Sequence, residues 1–498
     1  MIDRQTDVAE FLLSGKDPDR TALLFVHDQC SYGDLQRRVE QASRAILAIG
    51  GRKGDRIVLL GENSLFWVST YLGILRAGLV CVPLSDTINS SDLEYILRNT
   101  EARAIFVERD ISAIQVLDEA QVRLVTASEI DTLAEECPSS WSFPPVNADD
   151  LAALMFTSGT TGRPRGVMVS HGNIIANTES IIEYLRLTED DRILTVLPFH
   201  YCFGASLLHT HLRVGGSLVI EPRFMYTEAV LQRMIDTACT GFAGVPSHFQ
   251  VLLRNSTLRK KSFPHLRYVQ QAGGHLPPAV IHDLCTSLPT TQVFIMYGQT
   301  EATARLSYLS PECLPGKIGS IGRGIPGVIL RVVNDAGQDV RPGEVGEIVA
   351  RGANVTRGYW RAPEETAAFF KDGELRTGDL ATVDGDGFIY VVDRAKDFIK
   401  CGGERVSCRH IEDELLACDE LLEAAVIPVS DALLCEAVKE CVVPRSQEDH
   451  GLAERLTVFL KARLPSQHIP RQFVVLPTLP KNSAGKVLKA KLRAPAVS

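Results

Sequence analysis

From about residue 31 onward, the chain alternates between helical runs and short β-branched runs. Residues 31–49 space their apolar side chains as a helix does, and Gly50 and Gly51 form a sensible helix stop. The short runs DRIVLL at 55–60 and CVPL at 81–84 are typical of buried strands. This alternation predicts an α/β fold in which helices cover a largely parallel sheet. A chain of 498 residues is too long for one core, so we expect at least two domains.

The pattern changes between about 320 and 392, where short strands are separated by Gly and Asp turns. This predicts an antiparallel, β-barrel-like subdomain. The strand-like FIYVVD at 388–393 is followed by the charged RAKD at 394–397, and a small α+β pattern begins beyond it. We therefore expect an N-terminal domain of layered sheets and helices at 1–394 and a C-terminal domain at 395–498.

Composition excludes several function classes. The net charge of −9 argues against a general nucleic-acid binder, which needs a basic face. The 12 cysteines are scattered without metal-ligand spacing, which favours reduced thiols in the cytoplasm. The N-terminus lacks the basic region of a signal peptide, and the apolar stretch at 71–84 is short and interrupted by Arg76, so we expect no membrane span.

A loop rich in Ser, Thr and Gly stands between two apolar runs at 154–169, LMFTSGTTGRPRGVMV. Glycines allow backbone N–H groups to converge on an anion, and hydroxyls and Arg165 add donors and charge. A Walker A loop would need a GK[ST] that leads into a helix, whereas here a strand-like GVMV follows. The loop predicts a phosphate site outside the P-loop class. A polar hairpin turn is the alternative.

Four further motifs follow in order: YGQTEAT at 297–303, TGD at 377–379, DRAKDFIKCGGE at 393–404 and PKNSAGKVLKAKLR at 480–493. Together with the loop they resemble the adenylate-forming superfamily, which includes acyl- and aryl-CoA synthetases, peptide-synthetase adenylation domains and firefly luciferase. Weaker matches at 75–84, 197–204 and 343–360 extend the resemblance over nearly the whole chain.

The resemblance implies an enzyme that uses ATP and Mg²⁺ to convert a small-molecule carboxylic acid into an acyl-adenylate, with release of pyrophosphate. Two anions must meet, so the site must supply positive charge. The loop resembles the clamp for the β- and γ-phosphates, formed by Thr157, Ser158, Gly159, Thr160, Thr161, Gly162 and Arg165. Arg165 stands where the family pattern has lysine, so a guanidinium fork replaces a point charge. A solvent-exposed Arg165 is the alternative.

The same resemblance implies roles for single residues. Glu301 matches the Mg²⁺ ligand, Thr300 the α-phosphate contact and Lys486, in SAGK, the catalytic lysine. Asp379 matches the ribose carboxylate, with Arg394 beside it. The remaining nucleotide contacts are Tyr297, expected to stack on adenine, and Gly274, His275, Gly298 and Gln299. Each role has a structural alternative. Glu301 could be a surface acid, and Asp379 could form a structural pair with Arg394. Tyr297 could pack in the core, and Lys486 could belong to a solvated lysine face.

For the second half-reaction, the resemblance implies that the small C-terminal domain is mobile and rotates about a hinge at Lys396. Gly402, Gly403 and Glu404 would then line a tunnel for the thiol arm, although the two glycines also suit a β-turn. The acceptor is CoA or the 4'-phosphopantetheine of a carrier protein. The basic tail at 481–493 would suit an acidic carrier, but it would equally serve ATP.

The sequence also restricts the acid. Relatives that activate amino acids carry Asp in an FDxS segment, where this chain has FGAS with Gly204. A buried ammonium would lack its partner, so an aryl, fatty or hydroxy acid is favoured over a free α-amino acid. The candidates for the acyl pocket are His200, Tyr201, Phe203, Gly204, His248, Gln271, Gly273 and Arg305. Each could instead belong to the core. Arg305 could pair with a second acidic group on the substrate or brace its turn.

Two other classes compete with a ligase. One is a luciferase-type oxidoreductase that uses the same adenylation step, and the other is a non-catalytic nucleotide-binding regulator. The regulator would be expected to have lost Lys486, Glu301 or Asp379, and all three are present.

Overall fold

Helices and strands alternate through most of the chain. The computed structural model describes residues 7–109, 122–138, 142–157, 163–394, 398–401, 404–431, 435–445, 451–465, 468–470, 472–482, 485 and 487–493. The strands are β1 Thr21–Leu24, β2 Gln29–Ser31, β3 Arg56–Leu60, β4 Val80–Leu84, β5 Ala104–Val107, β6 Arg123–Thr126, β7 Leu151–Thr157, β8 Arg165–Ser170, β9 Arg192–Thr195, β10 Ser217–Ile220, β11 Gly241–Gly244, β12 Tyr268–Gln271, β13 Gln292–Tyr297, β14 Ser307–Leu309, β15 Arg323–Gly324, β16 Val328–Val333, β17 Gly346–Gly352, β18 Phe370–Lys371, β19 Glu374–Val383, β20 Ile389–Arg394, β21 Phe398–Cys401, β22 Glu404–Ser407, β23 Leu421–Asp431, β24 Cys435–Pro444 and β25 Gln472–Val475. The α-helices are α1 Val8–Leu13, α2 Tyr32–Ala48, α3 Leu65–Arg76, α4 Ser90–Thr100, α5 Ile130–Glu136, α6 His171–Leu185, α7 Cys202–Val214, α8 Thr227–Asp236, α9 Pro246–Asn255, α10 Pro278–Ser287, α11 Leu314–Lys317, α12 Pro363–Phe369, α13 Cys408–Leu416, α14 Leu452–Lys461 and α15 Lys489–Arg493. Single 3-10 turns cover Ala127–Glu129, Leu258–Lys260 and Thr300–Ala302.

Two sheets with parallel centres form the bulk of the molecule. The first has the order β6-β5-β3-β4-β7-β8, and its strands are parallel except for the β7–β8 pair. The second has the order β15-β14-β13-β12-β11-β9-β10-β1-β2, with antiparallel pairs at its two ends. This arrangement confirms the predicted α/β fold class.

Buried residues explain why β3 is apolar from Ile57 to Leu60. Ile57 and Leu59 belong to the largest core, which joins residues of both sheets with α1, α2, α3, α6 and α7. Val58 and Leu60 point the other way and pack in a second core with α4. A parallel strand covered on both faces needs apolar side chains at successive positions, which is the pattern of IVLL at 57–60.

The predicted helix at 31–49 is α2. It begins after Ser31, whose side chain accepts a hydrogen bond from the N–H of Asp34. Gly50 follows its end with a φ of +78°, in the left-handed region that glycine tolerates best. Both ends of this helix are therefore set locally by the sequence.

A third sheet follows the second along the chain. It is antiparallel and contains β16, β17, β19, β18 and β20. This sheet confirms the predicted antiparallel subdomain, and it has the form of a half-barrel.

The C-terminal part of the chain has its own sheet and core. Strands β21 to β25 form a five-stranded sheet against which α13 and α14 pack. Ile399, Ile411, Val426 and Leu456 are among the residues of this core. The domain boundary at 394/395 lies between β20 of the third sheet and β21 of the fourth, and its position stays a prediction.

Candidate active site

The predicted phosphate loop joins two paired strands. Strand β7 ends at Thr157 and β8 begins at Arg165, and these two residues face each other in the antiparallel register. The strand after the loop is the feature that separates it from a P-loop, which leads into a helix. The loop's own candidates, Ser158, Gly159, Thr160, Thr161 and Gly162, lie outside the described residues.

Arg165 faces an acid and two aromatic rings. Its Nε lies 2.6 Å from Oε2 of Glu365 in α12, and the arginine side chain is only 11% exposed. Its guanidinium carbon lies 5.6 Å from the ring centre of Tyr359 and 5.9 Å from that of Phe369. The planar group is thus held among protein groups at the base of the loop, a setting that a lysine could not reproduce.

Tyr359 connects Arg165 to the predicted metal ligand. Its hydroxyl donates a hydrogen bond of 2.8 Å to Oε1 of Glu301. Burial and the Glu301 carboxylate raise the pKa of Tyr359 above its ordinary value, so the phenol stays protonated and remains a donor. Neither Tyr359 nor Glu365 was among the predicted site residues. The only sequence signal for Tyr359 is its place in the weaker match at 343–360.

Glu301 and Thr300 lie on a 3-10 turn directly after β13. The Glu301 carbonyl accepts a hydrogen bond of 2.9 Å from the Thr356 N–H, and the Thr300 hydroxyl lies 3.5 Å from Sγ of Cys202. Gly298 lets this turn form, because a Cβ at that position would lie 2.8 Å from the carbonyl carbon of Ala304. Gln299 shares the turn, and its side-chain nitrogen has no hydrogen-bond partner among the described residues.

Glu301 fits a magnesium ion. Mg²⁺ usually takes one or two carboxylates together with substrate phosphates. Tyr359 orients one carboxylate oxygen, and no hydrogen bond from a described residue reaches the other. Among the described residues there is no cluster of three or more His, Cys, Asp or Glu side chains that could hold a metal by itself. A cation here would therefore be shared with phosphate oxygens.

The structure brings Tyr297 and Asp379 together, although 82 positions separate them in the chain. The Tyr297 hydroxyl donates a 2.6 Å hydrogen bond to Oδ2 of Asp379, which is 5% exposed. Arg394 is paired with Asp379 in the β19–β20 register, and its side chain lies outside the described part. The predicted adenine and ribose residues thus share one corner between β13 and the third sheet.

The predicted acyl residues gather around the start of α7. His200 and Tyr201 precede this helix, with ring centres 4.5 Å apart, and Phe203 lies in its first turn. Burial lowers the pKa of His200 from 6.5 to about 4, so its imidazole is neutral at physiological pH. Gly204 has a packing reason to be glycine, because a Cβ there would lie 2.7 Å from the Pro198 carbonyl carbon.

A second group of acyl candidates lies at the ends of β11 and β12. Gln271 is buried and donates 2.8 Å to the Gly274 carbonyl, and Gly273 has a φ of +83°. The His248 ring lies tilted against the ring of Phe224, with the two ring centres 4.2 Å apart. Burial, reinforced by the charge of Lys481, lowers the pKa of His248 to about 3.

His275 contacts the C-terminal part of the chain. Its Nε2 lies 2.6 Å from Oδ1 of Asp413, and Arg409 hydrogen-bonds to its Nδ1. Both partners lie in α13. Burial and then the Arg409 charge lower the pKa of His275. The side chain that was predicted to contact nucleotide therefore takes part in the contact between the two parts of the molecule.

Further hydrogen bonds hold the two parts together. Arg254 in α9 donates to the carbonyl of Leu422 at 2.8 Å. The Ser247 hydroxyl donates 3.1 Å to the carbonyl of Gly485, the residue before Lys486. Lys486 itself, the hinge candidate Lys396 and the tunnel glycines Gly402 and Gly403 lie outside the described residues. Glu404 begins β22, and its side chain is also outside them.

Residues 14–360 match the AMP-binding enzyme family, and residues 410–486 match the family of its C-terminal domain. This chain belongs to the AMP-binding enzyme family. Feruloyl-CoA synthase of an Amycolatopsis species is 34% identical to this AMP-binding enzyme, over 96% of both chains. These matches confirm the resemblance to the adenylate-forming superfamily and, at the level of the family, the prediction of an AMP-forming ligase.

Solved structures agree with that assignment over the whole length of this AMP-binding enzyme. The o-succinylbenzoate CoA synthetase of Bacillus subtilis, in complex with the acyl-adenylate OSB-AMP, has a TM-score of 0.88, 27% identity and 99% coverage of both chains. The same protein in complex with ATP and magnesium has a TM-score of 0.87 and 27% identity, and it covers 98% of this chain and 99% of its own. No helix in the described parts of the AMP-binding enzyme is long and apolar enough to cross a membrane.

Proposed function

We propose that this enzyme activates a carboxylic acid with ATP and Mg²⁺, releases pyrophosphate, and transfers the acyl group from AMP to the thiol of CoA. The observation that carries this proposal is the Ser247–Gly485 hydrogen bond, which holds the residue before Lys486 next to the acyl candidate His248. A catalytic role of the neighbouring Lys486 at the acyl site is consistent with this contact of Gly485. Relatives that are named CoA ligases support the same reaction class.

The first half-reaction needs positive charge at the α-phosphate, because the carboxylate and ATP repel each other. Glu301 would hold Mg²⁺, which neutralises phosphate charge when it is bound. Thr300 would donate to the α-phosphate, and Lys486 would bridge it to the attacking carboxylate. Asp379 would accept the ribose hydroxyls. Tyr297, which already donates to Asp379, would pack against the base.

The acid that we propose is an aryl, fatty or hydroxy acid. The partly buried His200 and His248 have lowered pKa values and are neutral, and an imidazole offers no negative charge to pair with the ammonium of an α-amino acid. Gly204 stands at the position where amino-acid-activating relatives carry Asp, and packing against Pro198 favours glycine there. A substrate ammonium would therefore be buried without a partner at this position.

CoA is the acceptor that we favour over a carrier protein. The basic tail was the argument for a carrier, but two of its lysines are paired with acids. Lys481 lies 2.7 Å from Glu423, and Lys489 lies 2.7 Å from Glu412. This pairing reduces the free positive charge that an acidic carrier would meet.

For the transfer step we propose that residues 395–498 rotate about Lys396 and bring 402–404 to the site. The thiol would then approach the acyl-adenylate in a second arrangement of the two parts. We also propose a cytoplasmic location, because the described cysteines are free thiols.

The test separates the two half-reactions. Lys486→Ala should abolish ATP-dependent pyrophosphate release, because the bridging charge is lost, but spare thioester formation from a supplied acyl-adenylate. Lys491→Ala is the matched control in the same basic tail and should leave both steps near the unaltered rate. Equal loss of both steps in Lys486→Ala would contradict the two-arrangement mechanism. Silence of the unaltered enzyme toward aryl, fatty and hydroxy acids would contradict the proposed function.

A further inference from the structure

Arg305 is a buried cation that lacks an acidic partner in the described part of the chain. Its side chain is 1% exposed, and its Nη2 has no hydrogen-bond partner there. Its Nε lies 3.4 Å from Sδ of Met296, which is a weak acceptor. Burial lowers the pKa of Arg305, yet a guanidinium keeps its proton in proteins. Such a group is costly to the free enzyme unless a ligand compensates it.

The guanidinium lies beside the acyl candidates. Its central carbon is 4.1 Å from the ring centre of Phe203 in α7. Burial raises the pKa of the adjacent Cys202, and the Arg305 charge opposes that rise. Cys202 in turn contacts Thr300, the predicted α-phosphate residue. Cys202 thus interacts both with Arg305 and with the predicted α-phosphate residue.

Bracing the turn does not require the guanidinium, because the backbone of Arg305 is held by two amides. Its carbonyl accepts hydrogen bonds from Nδ2 of Asn177 at 3.2 Å and from Nδ2 of Asn354 at 2.7 Å. The Tyr184 hydroxyl interacts with the guanidinium but keeps its proton, because burial raises the pKa of Tyr184 to about 12. It therefore supplies no negative charge to Arg305.

We propose that Arg305 binds a second carboxylate, at the end of the substrate that is not adenylated, so that the enzyme prefers dicarboxylic acids. This inference rests on the proposed function and narrows its substrate class. The planar fork of an arginine matches a carboxylate through two parallel hydrogen bonds. The Phe203 ring beside it would cover the apolar body that joins the two carboxylates of the substrate.

The experiment compares acids that differ only in a terminal methyl or carboxylate group: butyric with succinic, hexanoic with adipic, and p-toluic with terephthalic acid. The kcat/KM for pyrophosphate release is measured for each pair. We expect the unaltered enzyme to favour the diacid of at least one pair by roughly 100-fold, because its buried charge is satisfied only then. Arg305→Met should bring that ratio to about one or below, and Arg305→Lys should retain part of it.

Arg323→Met is the matched control, since Arg323 also lies over a phenylalanine ring, 4.3 Å from that of Phe388, and should keep the original ratio. A ratio within one variant is independent of the folded fraction, so a destabilised Arg305→Met remains informative. If Arg305→Met does not fold at all, the diacid-to-monoacid ratios of kcat/KM in the unaltered enzyme and in Arg305→Lys test the proposal.

Activity on monocarboxylic acids without any preference for a diacid would overturn this inference and leave the proposed function intact. An unchanged ratio in Arg305→Met would also overturn it. Silence toward every acid would overturn both.

Discussion

At the residue scale, the network Arg165–Tyr359–Glu301 is the least expected feature of the site. Sequence motifs pointed to Arg165 and Glu301 separately, with a role for each toward phosphate or metal. The structure joins them through Tyr359, whose ring faces the guanidinium and whose hydroxyl reaches the carboxylate. Glu365 then balances the arginine charge. Glu301, the predicted metal ligand, is therefore oriented by a neighbour through a hydrogen bond.

Tyr359→Phe tests this orientation. We expect the Mg²⁺ concentration for half-maximal pyrophosphate release to rise by about 10-fold, because the hydrogen bond that positions Glu301 is lost. Titrations of Mg²⁺ at saturating ATP measure the effect. Tyr390→Phe is the control, since it removes a hydroxyl that donates 3.3 Å to Asp384, another tyrosine–carboxylate pair. An unchanged Mg²⁺ requirement in Tyr359→Phe would show that the hydroxyl does not position the ligand.

At the element scale, the first turn of α7 contains Gly204, a residue that the sequence associates with function but that packing also requires. The sequence presents Gly204 as a missing substrate-binding Asp. The structure adds that any Cβ there meets the Pro198 carbonyl. Helical propensity alone would favour alanine over glycine at such a position. Glycine is therefore favoured at position 204 because the Pro198 carbonyl, before the helix, lies too close for a Cβ.

Gly204→Ala should consequently lower the free energy of unfolding by about 1–3 kcal/mol, the usual cost of overpacking. Gly316→Ala is the matched control: it is also a helical glycine, but a Cβ there meets nothing within 4 Å. That change should be neutral or stabilise the protein by up to about 1 kcal/mol. Urea denaturation of both variants gives the two values. If Gly204→Ala stabilised the protein, the segment before α7 would have to shift at little cost to accommodate the added Cβ.

At the scale of the whole molecule, the contact between the N-terminal and C-terminal parts includes a titratable group. His275 lies between Asp413 and Arg409, and its pKa is lowered from 6.5 by burial and by the arginine charge. A histidine with a lowered pKa favours the neutral form in this arrangement. The contact is therefore intact above about pH 6.5 and weakens as the pH falls and the ring becomes protonated.

We therefore expect ATP–pyrophosphate exchange to fall as the pH drops below about 6.5, because protonation of His275 disfavours the arrangement for adenylation. His275→Gln should flatten this part of the profile, because glutamine does not titrate. His282→Gln, on the exposed face of α10, serves as control and should keep the original profile. Profiles that fall in parallel for all three proteins would assign the pH dependence to another group.

Most of the fold was accessible from the sequence, because its signals are local. The ends of α2 depend on Ser31 and Gly50, and the apolar run of β3 shows that both faces are covered. The motif order identified the family, which was confirmed over the chain. The roles of single site residues stay predictions, and those of Lys486, Lys396 and the loop at 158–162 concern residues outside the described part.

By itself, the sequence determined which chemical groups are present: a loop rich in Ser, Thr and Gly, Glu301, Asp379, Lys486 and an unexplained arginine at 305. Only the tertiary structure decided which groups touch. Tyr359 reaches Glu301 across 58 positions, and His275 meets Asp413 across 138. Among the residues that the structure describes, the buried Arg305 has no acidic partner, and packing against Pro198 explains Gly204. Pattern and propensity act over a few neighbouring residues, whereas desolvation and charge pairing depend on distances that only the folded chain sets.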